Sequence, residues 1–148
     1  MNYEAYTEIG VTRDFEVFEF VSTGRNGDIL KRVAFFETET KNVYNLTFGD
    51  VDENNDIDYY AVSDNGDRDK VLATVATIIE RYSRRFPDRF IYFEGSTQQR
   101  TRLYRMAIGL HWEELSSIYE IWAYQDEEWL PFTKSLKISA FLIKRKKS

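Results

Sequence analysis

The chain predicts an α+β fold, a twisted and mainly antiparallel β-sheet packed against two amphipathic α-helices. Three observations lead there. Period-two apolar patterns recur through the N-terminal part, a helical apolar stripe follows residue 67, and strands come in runs with helices inserted, without strict alternation of the two. At 148 residues, with 43% hydrophobic and 16% aromatic content, the sequence supplies material for one core, and a single domain over 1–148 is expected.

Residues 15–23 read as a strand rich in β-branched and aromatic side chains, and residues 29–37 as its partner. Between them stands Gly24-Arg25-Asn26-Gly27, where Asn-Gly points to a type I′ hairpin turn with positive φ at both central residues. Residues 43–49 alternate, with Tyr44, Leu46 and Phe48 on one face. A short strand is expected over 57–63, after an acidic loop.

Asp64-Asn65-Gly66-Asp67 combines a turn with a helix N-cap. From residue 68 to 86 the pattern is helical, with Val71, Leu72, Val75, Ile78, Ile79, Tyr82 and Phe86 on one stripe and Pro87 at its end. A strand over 90–94 follows, then a second helix to about Leu110. Ser96 and Gln99 have capping-box spacing, which puts its start at Ser96. Two more strands, over 118–124 and 138–143, flank a loop bearing Trp129, Leu130, Pro131 and Phe132. The tail over 144–148 is basic and expected to fray.

Composition closes several function classes. With no cysteine, disulfides, thiol nucleophiles and cysteine-ligated metals are excluded. The N-terminus lacks a basic region followed by an apolar run, and eighteen apolar residues never occur together, so a cytoplasmic protein without membrane contact is expected. The net charge of −5 is unevenly spread. Residues 1–69 hold 16 acids against 6 bases, while residues 70–110 hold 3 against 8. The whole protein is a poor polyanion binder with one locally basic segment.

Phe93-Glu94-Gly95-Ser96-Thr97, followed by Arg100-Thr101-Arg102-Leu103-Tyr104-Arg105, resembles the signature of a family of small bacterial proteins, domain of unknown function 6934. Asp64-Asn65-Gly66-Asp67 and Val71-Leu72-Ala73-Thr74-Val75-Ala76 are similar to that family's other recurring segment. The resemblance implies one domain and carries no assigned activity, so it supplies no catalytic residue.

The leading site candidate is the element over 95–105, where a strand passes through Gly-Ser-Thr into a helix whose first N–H groups can meet an anion. At 100° per residue, Leu103, Tyr104, Ala107 and His111 fall within about 60° of Arg100, so Arg100 shares the apolar face. Arg102 and Arg105 fall about 160° and 140° away, on the expected wet side. A cation there needs a counter-charge. Phosphate, carboxylate or a nucleic-acid backbone held by Ser96, Thr97 and Arg100 is one reading, and an acid from the N-terminal half is the other. Gly-Ser-Thr lacks the spaced glycine and lysine of a Walker loop.

Arg81, Arg84, Arg85, Arg89, Arg102 and Arg105, interleaved in sequence with Tyr82, Phe90, Tyr92 and Tyr104, hold the ingredients of nucleic-acid recognition, although the two helical tyrosines lie on core stripes. Asp50, Asp52, Asn54, Asp56 and Asp58 resemble a calcium loop only in part. Asn55 stands where glycine is needed and Ala61 where the bidentate glutamate belongs, so no metal site is assigned. His111, the single histidine, reads as a core or helix-end residue. No catalytic set emerges and no cofactor is implied. The first functional expectation is therefore a non-enzymatic interaction module that docks a protein partner through aromatic and charged surface. The alternative is a phosphate or nucleic-acid binder, an RNA-cleaving toxin-like protein among them, using Ser96, Thr97, Arg100, Arg102 and Arg105. Trp112, Trp122, Trp129 and their tyrosine neighbours would mark a partner surface if several are exposed together.

Overall fold

The computed structural model describes residues 4–135 and 137–147. They form a mixed, mostly antiparallel nine-stranded sheet with three helices, the expected α+β class. In chain order the elements are β1 (Gly10–Val11), β2 (Val17–Gly24), β3 (Gly27–Glu37), β4 (Val43–Val51), β5 (Ile57–Asp58), α1 (Arg68–Arg85) and β6 (Phe90–Phe93). Then come α2 (Gln98–Leu110), α3 (Trp112–Ile118), β7 (Tyr119–Gln125), β8 (Glu128–Pro131) and β9 (Ala140–Arg145). The strand order is β1-β2-β3-β4-β6-β9-β7-β8, with β5 paired to β4. β4 and β6 run parallel, joined by a connection that includes α1, as a parallel pair requires.

Several expected boundaries move for local reasons. β2 starts at Val17 because Phe15, at φ 63°, sits in a turn in which the Thr12 hydroxyl donates to Asp14 (2.6 Å). That hydroxyl and the Glu16 N–H hold the Asp14 carboxyl below the usual carboxylate range. β5 stops at Asp58, whose side chain accepts the Tyr60 N–H (3.0 Å) and bends the chain away. β1, α3 and β8 are additional to the expected elements.

The chain divides into two compact units, the first Met1–Phe36 with Leu46–Tyr82 and the second Glu37–Asn45 with Ser83–Ser148. In the first, Phe18, Phe20, Val33 and Phe35 of β2 and β3 are buried, as are Val71, Thr74, Ile78 and Tyr82 of α1. The α1 spacing is that of one helical face, and the Phe35 and Tyr82 rings stack at 3.7 Å. Leu72, Val75 and Ile79, expected on this face, are only half-buried. The polar Thr74 takes the central place because its hydroxyl is satisfied: it donates to the Lys70 carbonyl (2.7 Å) and accepts the Tyr6 N–H (2.8 Å).

The β2–β3 hairpin forms as expected, but its turn is not type I′. Arg25 and Asn26 are the central residues, neither has positive φ, and Gly27 does (89°). That is the pattern of an ordinary turn followed by a left-handed residue. The cause is tertiary. Buried Asn65 donates to the Gly27 carbonyl (2.9 Å) and to Ser22 Oγ (3.0 Å), and its own Oδ1 accepts the Asn26 N–H (2.7 Å). Gly24 admits this contact: a Cβ there would lie 1.9 Å from the Asn65 carbonyl oxygen. Ser22, wholly buried, donates to Asp67 (2.6 Å), which also accepts from the Tyr6 hydroxyl. Beside this network, the buried Lys31 ammonium reaches Asp50 (2.5 Å) and Ser63 Oγ (2.8 Å), tying β3 to β4 and to the loop after β5.

The second unit contains the end of α1, α2, α3 and the strands β6, β9, β7 and β8, with residues 43–45 of β4 alongside. Ile91, Phe141, Ile143, Tyr119, Ile121 and Ala123 are buried on one side of its strands. The helices meet that side: Tyr104 of α2 lies edge-on to Phe93, and Trp112 at the start of α3 stacks on Phe132, which lies against Phe141.

Candidate functional site

Pairing fixes which side chains share the other side of that sheet. Tyr92 stands opposite Leu142, Leu142 opposite Trp122, and Trp122 opposite Pro131. Tyr124 pairs with Trp129, and Phe90 lies two residues before Tyr92 on the same face. Phe90, Tyr92, Trp122, Tyr124, Trp129 and Leu142 therefore project together, away from the side the helices pack on. On the covered side Ile91 is 1% and Phe141 0% exposed. On the opposite side no member of the set is buried, and Trp129 reaches 40%.

The rings meet in two groups. Phe90 and Trp122 are 5.9 Å apart, Tyr92 and Trp129 6.0 Å at 77°, and Tyr124 and Trp129 5.1 Å at 57°. Tyr92 and Trp129 stand three strands apart, roughly 14 Å in a flat sheet, so their rings lean toward one another over the strands between. Charge frames them. Lys144, opposite Glu120, sits over Phe90 (5.6 Å), and Glu94 accepts the Tyr92 hydroxyl (2.9 Å). Burial, then that bond and the nearby Glu94 charge, push the Tyr92 hydroxyl up to about 12, so it remains a donor. The β7–β8 turn adds Asp126 and Glu127, at φ 51° and 64°.

This surface was only partly legible. β6 reads Phe-Ile-Tyr-Phe and β7 reads Tyr-Glu-Ile-Trp-Ala-Tyr-Gln, apolar on both alternating sets where a strand wet on one side would be polar on one. That pattern is the signal for a second apolar face.

The element over 95–105 divides. The N-cap of α2 is Thr97, not Ser96: its Oγ1 accepts the Arg100 N–H (3.2 Å). Ser96 is left to accept Arg100 Nη1 (2.6 Å), so Ser96, Thr97 and Arg100 do come together. Gly95 packs so closely on the first turn of α2 that a Cβ would lie 2.3 Å from the Thr101 nitrogen. Arg100 is half-buried on the side of Tyr104, whose hydroxyl burial pushes up and Arg100 partly draws back. Arg102 is exposed. Arg105 is not on a wet face as expected; it is half-buried and donates to the Ser135 carbonyl (3.4 Å). The five residues do not share one locus.

The other arginines scatter too. Arg81 lies over Phe15 and Phe18 in the first unit, while Arg89 covers Tyr44 (4.0 Å) and Phe86 (3.7 Å) in the second. In the acidic loop, Asp50 is engaged by Lys31 and Asp52 accepts the N–H groups of Asn54 and Asp56. Among the described residues no group of three or more acids or histidines could hold a metal ion. His111 joins α2 to α3: its N–H closes the former and its carbonyl accepts the Leu115 N–H of the latter (3.0 Å). Among the described residues no helix is long and apolar enough to cross a membrane.

A family model described as a family of unknown function, DUF6934, matches residues 2–146. No curated protein and no solved structure matches the chain.

Proposed function

We propose that this chain, which belongs to the family of unknown function DUF6934, is a non-enzymatic interaction module whose working surface is the aromatic side of its second unit. One observation carries the reading: two groups of rings, Phe90 with Trp122 and Trp129 with Tyr92 and Tyr124, stand on the side of the sheet opposite its helices with Leu142 between Tyr92 and Trp122. Aromatic side chains left at the surface together, rimmed by charge, are the usual anchors of protein interfaces. Lys144, Glu94 and Glu120 supply a mixed rim suited to a polypeptide more than to a polyanion. A cytoplasmic setting belongs to the same proposal.

The test compares the full chain with Trp129→Ser in capture from lysate with and without nuclease, with tryptophan emission as a second readout. One protein retained by the wild type, blue-shifting its emission, and lost with Trp129→Ser is the expected result. An unchanged set of captured proteins would overturn the reading. So would retention that disappears with nuclease and returns with added RNA, which moves the surface to nucleic acid.

A further inference from the structure

A second surface lies in the first unit. A groove of about 580 Å³ runs between residues 4–8 and the outer edge of β2, lined among others by Tyr6, Glu8, Val21, Asp28 and Leu30. Its size is that of a small-ligand or peptide site. Two features give it a chemistry.

The first is an open strand edge. β1 covers β2 only at Phe18 and Glu19. Backbone groups alternate in direction along a strand. Val17 turns its carbonyl outward to the Thr12 N–H (3.0 Å), and Thr23 turns its N–H outward to the Tyr6 hydroxyl (2.9 Å). Val21 has the same parity, so its N–H and C=O point into the groove, and among the described residues nothing meets them. Its side chain, 41% exposed, and its cross-strand partner Leu30 form an apolar patch on the outer face. Such an edge accepts an added strand.

The second is charge. Glu4, Glu8, Glu19 and Asp28 line the groove against one cation, Lys70, which is itself seated on the Tyr6 ring (4.3 Å). Glu19 is paired with Arg32, whereas Glu4, Glu8 and Asp28 have no ion-pair partner among the described residues. The surrounding unit holds 15 acids against 7 bases.

We infer that this groove binds a short, extended, basic peptide segment that pairs with Val21 and sets lysine or arginine side chains beside Asp28 and the glutamates. An apolar residue opposite Val21 would pack on Val21 and Leu30, and the residue two places toward the hairpin turn would share that face next to Thr23 and its partner Asp28, while the other end turns out of the sheet before Glu19, where Gly10 of β1 already pairs. The site is independent of the aromatic surface in the second unit.

Amide shifts of the full chain would be followed with acetyl-Lys-Thr-Val-Thr-Lys-amide, its Glu-for-Lys counterpart, and spermine, a cation with no backbone to pair. Saturable, salt-sensitive shifts at Val21 and Thr23 with the lysine peptide alone are expected. Asp28→Asn and Glu8→Gln should each weaken it about fivefold, the worth of one surface ion pair. Val21→Pro removes the outward N–H without taking a ladder donor from the β2–β3 pair, so it should abolish binding while the melting temperature shows the fold intact. No saturation, equal shifts with spermine, or full binding by Val21→Pro would each overturn the inference. So would Asp28→Asn or Glu8→Gln that self-associates yet keeps the peptide, because the carboxylates then only guard the edge against other copies.

Discussion

The β2–β3 and β7–β8 hairpins both close through two central residues, and they do so in opposite ways. Arg25 and Asn26, flanked by glycines, avoid the left-handed region, whereas Asp126 and Glu127, with no glycine near, both occupy it. In the first unit the turn is dictated from outside by Asn65, which fills the hairpin mouth with hydrogen bonds. In the second the strands dictate it, since the Trp122, Tyr124, Trp129 and Pro131 pairings set the register and the turn conforms. The contrast extends to each unit as a whole. The first, with 15 acids and 7 bases, adds a network of buried polar bonds to its ring stacks; the second, with 10 acids and 13 bases, leaves part of its ring contacts on the side of its strands away from the helices.

Truncating one ring in each unit separates them most clearly. Tyr82→Ala, which removes a fully buried ring stacked on Phe35, should cost about 3–5 kcal/mol in denaturant unfolding. Trp129→Ala should cost under about 1 kcal/mol, because its ring serves the surface. Comparable losses would mean that the aromatic side is part of the core.

Asp50→Asn comes next. It leaves the Lys31 ammonium buried beside a neutral amide and should cost about 3 kcal/mol, while Lys31→Met with Asp50→Leu should restore most of it. Urea midpoints of the single and double variants decide this. Gly24→Ala drives a methyl into the Asn65 carbonyl and should lose about 1–3 kcal/mol, with amide exchange rising at Asn26 and Gly27. In the other hairpin, Glu127→Gly should gain about 1 kcal/mol by removing a side chain from the left-handed region; a lower melting temperature would show that the carboxylate has an attachment there.

The remaining effect is alkaline. The Tyr92 hydroxyl ionises near 10 when unfolded and at about 12 when folded, so its contribution to stability is complete below pH 10 and disappears as pH rises toward 12. Tyr92→Phe should flatten that limb of the stability profile and remove one late step from the ultraviolet titration of tyrosine.

Local patterns in the sequence reached the β2–β3 hairpin, β4, α1 and the position of α2, because each depends on periodicity or on breakers such as Pro87. α3 was hidden because Trp112 to Ile118 follows α2 after His111 alone, with no glycine or proline between. β8 was hidden because Asp-Glu carries no turn signal and Pro131 argues against a strand. The grouping of Ser96, Thr97 and Arg100 was readable from helical spacing. The aromatic surface was not: β9, from the far end of the chain, inserts between β6 and β7, and only that order sets Leu142 between Tyr92 and Trp122. Nor could spacing predict that Asn65 would override an Asn-Gly turn 38 residues away in sequence.

The unit boundaries have a practical corollary. They fall at 36/37, 45/46 and 82/83, the second within β4 and the third within α1. Neither unit is one stretch of polypeptide, so trimming from the C-terminus takes the second away only by stranding residues 37–45, and beginning at residue 83 leaves β6 without its parallel partner β4. Fragments meant to assign a binding activity to one surface would therefore misfold before they informed. Point substitutions in the intact chain are the means of telling the two surfaces apart.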